Sequence, residues 1–200
     1  MRLSSDAVLA VIDMQMAIDD PRWGETNNPG AEAQIAALLG AWREADLPVL
    51  HVRHDSPEAA SPYREGGPGH AFKPFAAPAP GEPVFPKETT SAFADGRLDA
   101  TLTRLGVPCL VVCGALTQNS VEAAARSAGG LGYRAFVVED ACRASARRDS
   151  SGRAWSADEV HALSLANLRG EYARIVTSGQ AIEAARLAAA IRARRLARGA

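Results

Sequence analysis

Lysine is almost missing from this chain of 200 residues. Of its 22 basic residues all but two are arginine, and the lysines are Lys73 and Lys87. Arginine stays protonated, whereas a lysine amine placed in a low-dielectric pocket can take part in proton transfer. Lys87 directly follows the apolar Val84-Phe85-Pro86, so it stands at the end of a strand and is a candidate for chemistry; Lys73 lacks that placement. Cysteine is scarce too. Cys109, Cys113 and Cys142 are odd in number and lie in or beside predicted strands, with neither disulfide nor zinc spacing, so they read as buried reduced thiols. A net charge of −1 gives no sign of a nucleic-acid or membrane-surface partner. No apolar run approaches the roughly 20 residues of a membrane span. The six residues Met1 to Asp6 ahead of the first strand leave no room for a signal peptide, which points to the cytoplasm. There is no internal repeat and no linker, so residues 1–200 read as a single domain, long enough for a substantial core.

What is present is alternation. Apolar runs at Ala7 to Asp13, Pro48 to Arg53, Cys109 to Gly114, Ala135 to Glu139 and Arg174 to Thr177 read as strands. Between them lie helical patterns: Pro29 to Ala45 with Asn28 as N-cap, Gly96 to Leu105, Asn119 to Gly130, and a helix to Leu168 capped by Ser156. A last helix runs from about Gln180 to Arg198. With Val84 to Pro86 as a further short strand, this predicts an α/β protein of three layers, α-β-α. Its core is an open, mostly parallel sheet. Ser56 to Pro86 is a long Pro/Gly-rich stretch, and stretches of that length are usually functional or carry local structure. The basic end, Arg192, Arg194, Arg195 and Arg198, reads as the solvated face of the terminal helix.

Open α/β sheets place their reactive groups just beyond the carboxyl ends of the strands. Three residues fit that rule: Asp13, Lys87 and Ser120. Ser120 also opens a helix, where backbone N–H groups and the helix field favour a developing oxyanion.

Several segments now resemble a known family. They are Val11-Ile12-Asp13-Met14-Gln15, Phe85-Pro86-Lys87 with Ser91-Ala92-Phe93, Gly114-Ala115-Leu116-Thr117 through Ser120-Val121-Glu122, and Val138-Glu139-Asp140-Ala141-Cys142. Near the end, His161-Ala162-Leu163 and Val176-Thr177 also match. In this order and spacing the chain resembles the isochorismatase-like cysteine hydrolases. The resemblance implies a hydrolase of small-molecule C–N bonds (an amide, carbamoyl or ureido group) working through an Asp-Lys-Cys triad. Asp13 would be the general acid and base, Lys87 its partner, and Leu116 and Ser120 the backbone donors of the oxyanion hole, after a cis peptide at Ala115–Leu116. It implies an open six-stranded, mostly parallel sheet, no cofactor, a small-molecule substrate, and a homodimer or larger homo-oligomer.

The chain departs from the family where it matters most, with Ser120 in the cysteine position. A hydroxyl is far less readily ionised than a thiol, and a carboxylate is a weak base for it. Three readings stay open: a Cys-to-Ser variant of an amide hydrolase, a vinyl-ether hydrolase of the isochorismatase type that needs no cysteine, or a non-catalytic small-molecule-binding homologue. Trp23, His54, Tyr63, Gln118 and Asn119 are candidate substrate-binding residues. His51, His54, Asp55 and His70 form an incomplete metal pattern, and no metal is expected. Thr117 and Gln15 are read as holding local backbone, His161 as a core or supporting histidine, and Cys113 as inert through burial.

Overall fold

The computed structural model describes residues 7–199, and their side chains to residue 194. Met1 to Asp6, and the side chains of Arg195 and Arg198, lie outside the described residues. Six strands form one parallel sheet: β1 (Val8–Ile12), β2 (Val49–His54), β3 (Val84–Lys87), β4 (Cys109–Ala115), β5 (Arg134–Arg143) and β8 (Ala173–Val176). A separate two-stranded ribbon pairs β6 (Arg147–Arg148) with β7 (Ala154–Trp155). The sheet order is β3-β2-β1-β4-β5-β8. The chain therefore moves outward from β1 to β3, then returns to lay β4 on the other side of β1. That reversal opens a crevice at the carboxyl ends of β1 and β4.

Helices cover both faces because alternate residues of each strand are apolar on both sides. In β1, Leu9 and Val11 face α1 (Ala31–Glu44) and α5 (Ser178–Gly199), packing with Ile35, Leu38 and Trp42. Val8, Ala10 and Ile12 face the opposite layer. That layer comprises α2 (Arg97–Arg104), α3 (Glu122–Gly130) and α4 (Ala157–Leu168), with Leu98, Leu102 and Leu168 in its core. The three-layer architecture expected from the sequence is the one observed.

Several boundaries differ from the sequence reading, each for a local reason. Helix α1 begins at Ala31 with Gly30 before it, not at Pro29 behind an Asn28 cap. Asn28 instead takes a left-handed backbone with φ of 46°. Its side-chain amide donates to the carbonyls of Glu139 (3.0 Å) and Cys142 (2.7 Å). Strand β5 runs on past Glu139 to Arg143, because the register slips between Val112 and Gly114 and pairing resumes at Gly114 with Cys142. The ribbon β6–β7 was not foreseen in the polar loop from Arg143. Helix α4 does start at the Ser156 cap, with a reciprocal bond to Glu159.

The long stretch from Ser56 is ordered by polar ties. Buried Lys73 forms ion pairs with Asp19 (2.7 Å) and Glu32, fastening the stretch to the segments that follow β1. This second lysine is structural. Arg192 in α5 pairs with Asp46 (3.0 Å) at the end of α1. Among the described residues no helix is long and apolar enough to cross a membrane.

Candidate active site

Asp13 is the first residue beyond β1, and only 3 % of it is exposed. Its backbone N–H donates to the Val52 carbonyl (3.0 Å), and its φ of 51° turns the chain sharply out of the sheet. One carboxylate oxygen, Oδ2, lies 2.8 Å from Lys87 Nζ. The other, Oδ1, is buried and makes no hydrogen bond. A buried acceptor without a donor costs about 1–3 kcal/mol, so its presence calls for a functional reason.

Lys87 ends β3 and is 7 % exposed. Beyond Asp13 it donates to the Thr89 carbonyl (3.1 Å) and to Ser120 Oγ (3.2 Å). An ammonium has three protons, and these three acceptors engage all of them.

Ser120, also 7 % exposed, sits in a wide π-type turn, Thr117–Val121, which leads into α3. Turns of this kind recur at functional sites. The helix predicted from Asn119 thus begins with an irregular turn instead of a regular first turn. The turn is built on Leu116, whose carbonyl accepts from the N–H groups of Asn119 (3.0 Å) and Val121 (3.2 Å). The peptide bond Ala115–Leu116 is cis. Thr117 Oγ1 bonds His161 Nδ1 of α4 (2.9 Å). Gln15 holds the other rim. Its amide donates to the carbonyls of His54 (3.0 Å) and His70 (2.8 Å), and its oxygen accepts from the His54 N–H (2.8 Å).

These residues open on a cavity of about 330 Å³. Asp13, Lys87, Leu116 and Ser120 line it, as do four of the five candidate substrate-binding residues: Trp23, His54, Tyr63 and Asn119. Gln118 does not. It lies by a different hollow, where its amide donates to Ser145 Oγ (3.1 Å), because the turn points it away from Ser120. Sequence reasoning missed Glu58 and Glu88, which also line the cavity. They are exposed residues flanking strands and prolines, and carry no pattern.

The electrostatics are those of a partly dry pocket. Burial pushes the His54 imidazole below its ordinary value, and the charge of Lys87 adds to this. Its Nδ1 lies 3.1 Å from the Lys87 carbonyl, which can only accept, so Nδ1 carries the proton and Nε2 is an acceptor. Burial raises the Tyr63 phenol, and the Asp13 carboxylate raises it further. The metal pattern is broken up: His51 bonds Glu82 (2.8 Å) and His70 bonds Asp55 (2.8 Å). Among the described residues no cluster of three or more His, Cys, Asp or Glu side chains is placed to hold a metal ion.

The Isochorismatase domain model matches residues 7–180. The chain belongs to the isochorismatase family. The isochorismatase-family protein YrdC of Bacillus subtilis is 33% identical over 174 residues, covering 87% of this chain and 93% of that one. The ureidoacrylate amidohydrolase RutB of Variovorax paradoxus is 31% identical over 176 residues, covering 69% of each. Among solved structures, an isochorismatase-family protein from Chromobacterium violaceum superposes with a TM-score of 0.90 at 51% identity, covering 92% of this chain and 96% of that one. In this isochorismatase-family chain Cys113 lies in β4, fully buried, one residue before Gly114, and burial pushes its thiol well above the ordinary range.

Proposed function

We propose that the chain hydrolyses a small-molecule C–N bond, an amide, carbamoyl or ureido group, at the cavity floored by Asp13, Lys87 and Ser120. The observation that carries this reading is the free Oδ1 of Asp13. It is a buried carboxylate oxygen with no hydrogen bond, on a residue whose other oxygen meets the ammonium that also donates to the Ser120 hydroxyl. The amidohydrolase name of RutB supports the choice of bond.

In this mechanism Ser120 Oγ attacks the carbonyl carbon and its proton passes to Asp13 Oδ1. The carbonyl oxygen takes the negative charge between the N–H groups of Leu116 and Ser120. As the C–N bond breaks, Asp13 returns the proton to the departing nitrogen, and ammonia or a small amine leaves. Water then attacks the Ser120 ester and gives its proton to Asp13. The acid product leaves as the proton returns to Ser120 Oγ. Lys87 fixes the carboxylate and steers Oγ. A hydroxyl accepting from an ammonium is a poor nucleophile, so this step is slow with serine and fast with a thiolate at the same position. A homodimer or larger assembly belongs to the same reading.

The test is ammonia release from a panel of small amides and ureido compounds, with this chain beside its Ser120→Cys and Asp13→Asn variants. A gain on the order of 10²-fold with cysteine, abolished by Asp13→Asn, is the expected result. Turnover of a vinyl ether that needs Asp13 and ignores position 120 would replace this reading with the family's other chemistry.

A further inference from the structure

The cavity offers acceptors and almost no cation. Its lining holds three carboxylates, Asp13, Glu58 and Glu88, against one ammonium, Lys87. That ammonium is spent, because Asp13, Thr89 and Ser120 take its three protons. Arg53, next to His54 in β2, is locked on Asp55 by two bonds of 2.7 and 2.9 Å. In a chain with 20 arginines, none lines this cavity among the described residues. His54 cannot stand in for one: it is neutral through burial, its Nδ1 proton is committed to the Lys87 carbonyl, and only the Nε2 lone pair is left to a ligand.

The aromatic walls suit the same kind of ligand. The Trp23 indole N–H donates to the Ala17 carbonyl (2.7 Å), so Trp23 offers a visitor its ring and no proton. The Trp23 and Tyr63 rings lie 5.9 Å apart at 50°, and His54 meets Tyr63 edge to face at 5.4 Å. Ring faces attract cations and not anions. Glu58 and Glu88 are exposed and form no ion pair among the described residues, so both are available at the mouth.

We infer that the substrate of this site is a small amide whose far end carries a protonated amine, and that amides ending in a carboxylate are rejected. This rests on the hydrolase reading above for the amide end. The charge preference rests only on the lining of the cavity. A carboxylate at the far end would meet the two glutamates of the mouth with no free cation to receive it, and like charges brought together repel one another, less so as salt rises.

Three amides of equal chain length separate the outcomes: δ-aminovaleramide (cation), valeramide (neutral) and glutaramate (anion). Calorimetric binding to the unmodified chain should follow that order, with about tenfold or more between cation and anion at low salt, narrowing as salt rises. The double variant Glu58→Gln, Glu88→Gln should shrink the gap to within about threefold. Both side chains are exposed, so the fold should hold, and the salt dependence of the unmodified chain tests the same point without any substitution. Equal or tighter binding of glutaramate overturns the inference, as does failure of all three to bind. Ammonia release by Ser120→Cys is read in parallel. The binding order without turnover sinks the hydrolase reading and leaves the charge preference standing; turnover that favours glutaramate does the reverse.

Discussion

The Thr117 hydroxyl and the His161 imidazole meet at 2.9 Å, tying α4 to the turn that carries Ser120. Burial holds His161 below its ordinary value, so the ring is neutral and Nδ1 can accept from Thr117. Thr117 is fully buried, and its hydroxyl therefore fixes the turn's position without touching the cavity.

Replacing Thr117 by valine keeps the shape and removes the donor. The expected cost is about 1 kcal/mol of stability, from one unpaired nitrogen on the half-buried His161 ring. In the Ser120→Cys background kcat should fall several-fold with KM little changed, since the oxyanion donors shift while the cavity walls stay. Urea midpoints and steady-state kinetics on the same preparations check both parts. An unchanged kcat would mean the turn holds itself.

Gly114 makes the second demand on this region. Its φ is 126°, and a Cβ there would lie 2.2 Å from the Ile12 carbonyl oxygen. Backbone cannot yield cheaply at such a distance, and a left-handed conformation is costly for alanine. Gly114→Ala should destabilise the protein by more than about 3 kcal/mol and part β1 from β4 just below Asp13. A thermal midpoint within a few degrees of the parent would contradict this.

Much of the site could be read from the chain because a simple rule governs it. Asp13, Lys87 and Ser120 follow apolar runs, and parallel sheets deliver such residues to one edge. The sheet's two-sided apolar strands made the three layers legible for the same reason. What was not legible depends on side-chain direction. Gln118 and Asn119 are neighbours, yet the π-type turn sends one to Ser145 and the other to the cavity. Asn28 follows the capping pattern, but tertiary bonds to the Glu139 and Cys142 carbonyls claim its amide. Glu58 and Glu88 carry no periodic signal, and it is the folding of their loops that brings them to one cavity with Lys87.

Acid should weaken the fold through the other end of β2. Glu82 accepts from Arg43 and from buried His51, and its carboxyl is held down at about 2, chiefly by the Arg43 bond. A depressed carboxylate contributes stability above its unfolded value of 4.5, and that contribution drains as pH falls toward 2. His51 is depressed as well, mainly by burial. The unfolded chain therefore takes up its proton first, and stability begins to decline as pH drops below 6.5. Both groups act in one direction. Glu82→Gln should cost about 2 kcal/mol at neutral pH and flatten the fall below pH 4.5, as followed by urea midpoints across pH. A parallel fall in both proteins would place the acid sensitivity elsewhere.

The thiols give a direct test of whether position 120 is the reactive one. Cys109, Cys113 and Cys142 are all buried. Burial pushes Cys113 well above the ordinary thiol range and Cys142 up to about 12, so neither offers a thiolate at neutral pH. The folded chain should resist iodoacetamide at pH 8 and take up three equivalents only in denaturant, read by intact mass. In the Ser120→Cys variant the new thiol would take the place of Oγ, which now lies 3.2 Å from Lys87 Nζ, beside an ammonium that favours its anion. One equivalent should then be incorporated rapidly by the folded protein. Asp13→Asn in that background should change the pH dependence of the labelling, because the proton acceptor is gone. Rapid labelling of the unmodified folded chain, mapped to Cys113 by peptide mass, would instead expose Cys113 as the nucleophile and leave Ser120 as a bystander.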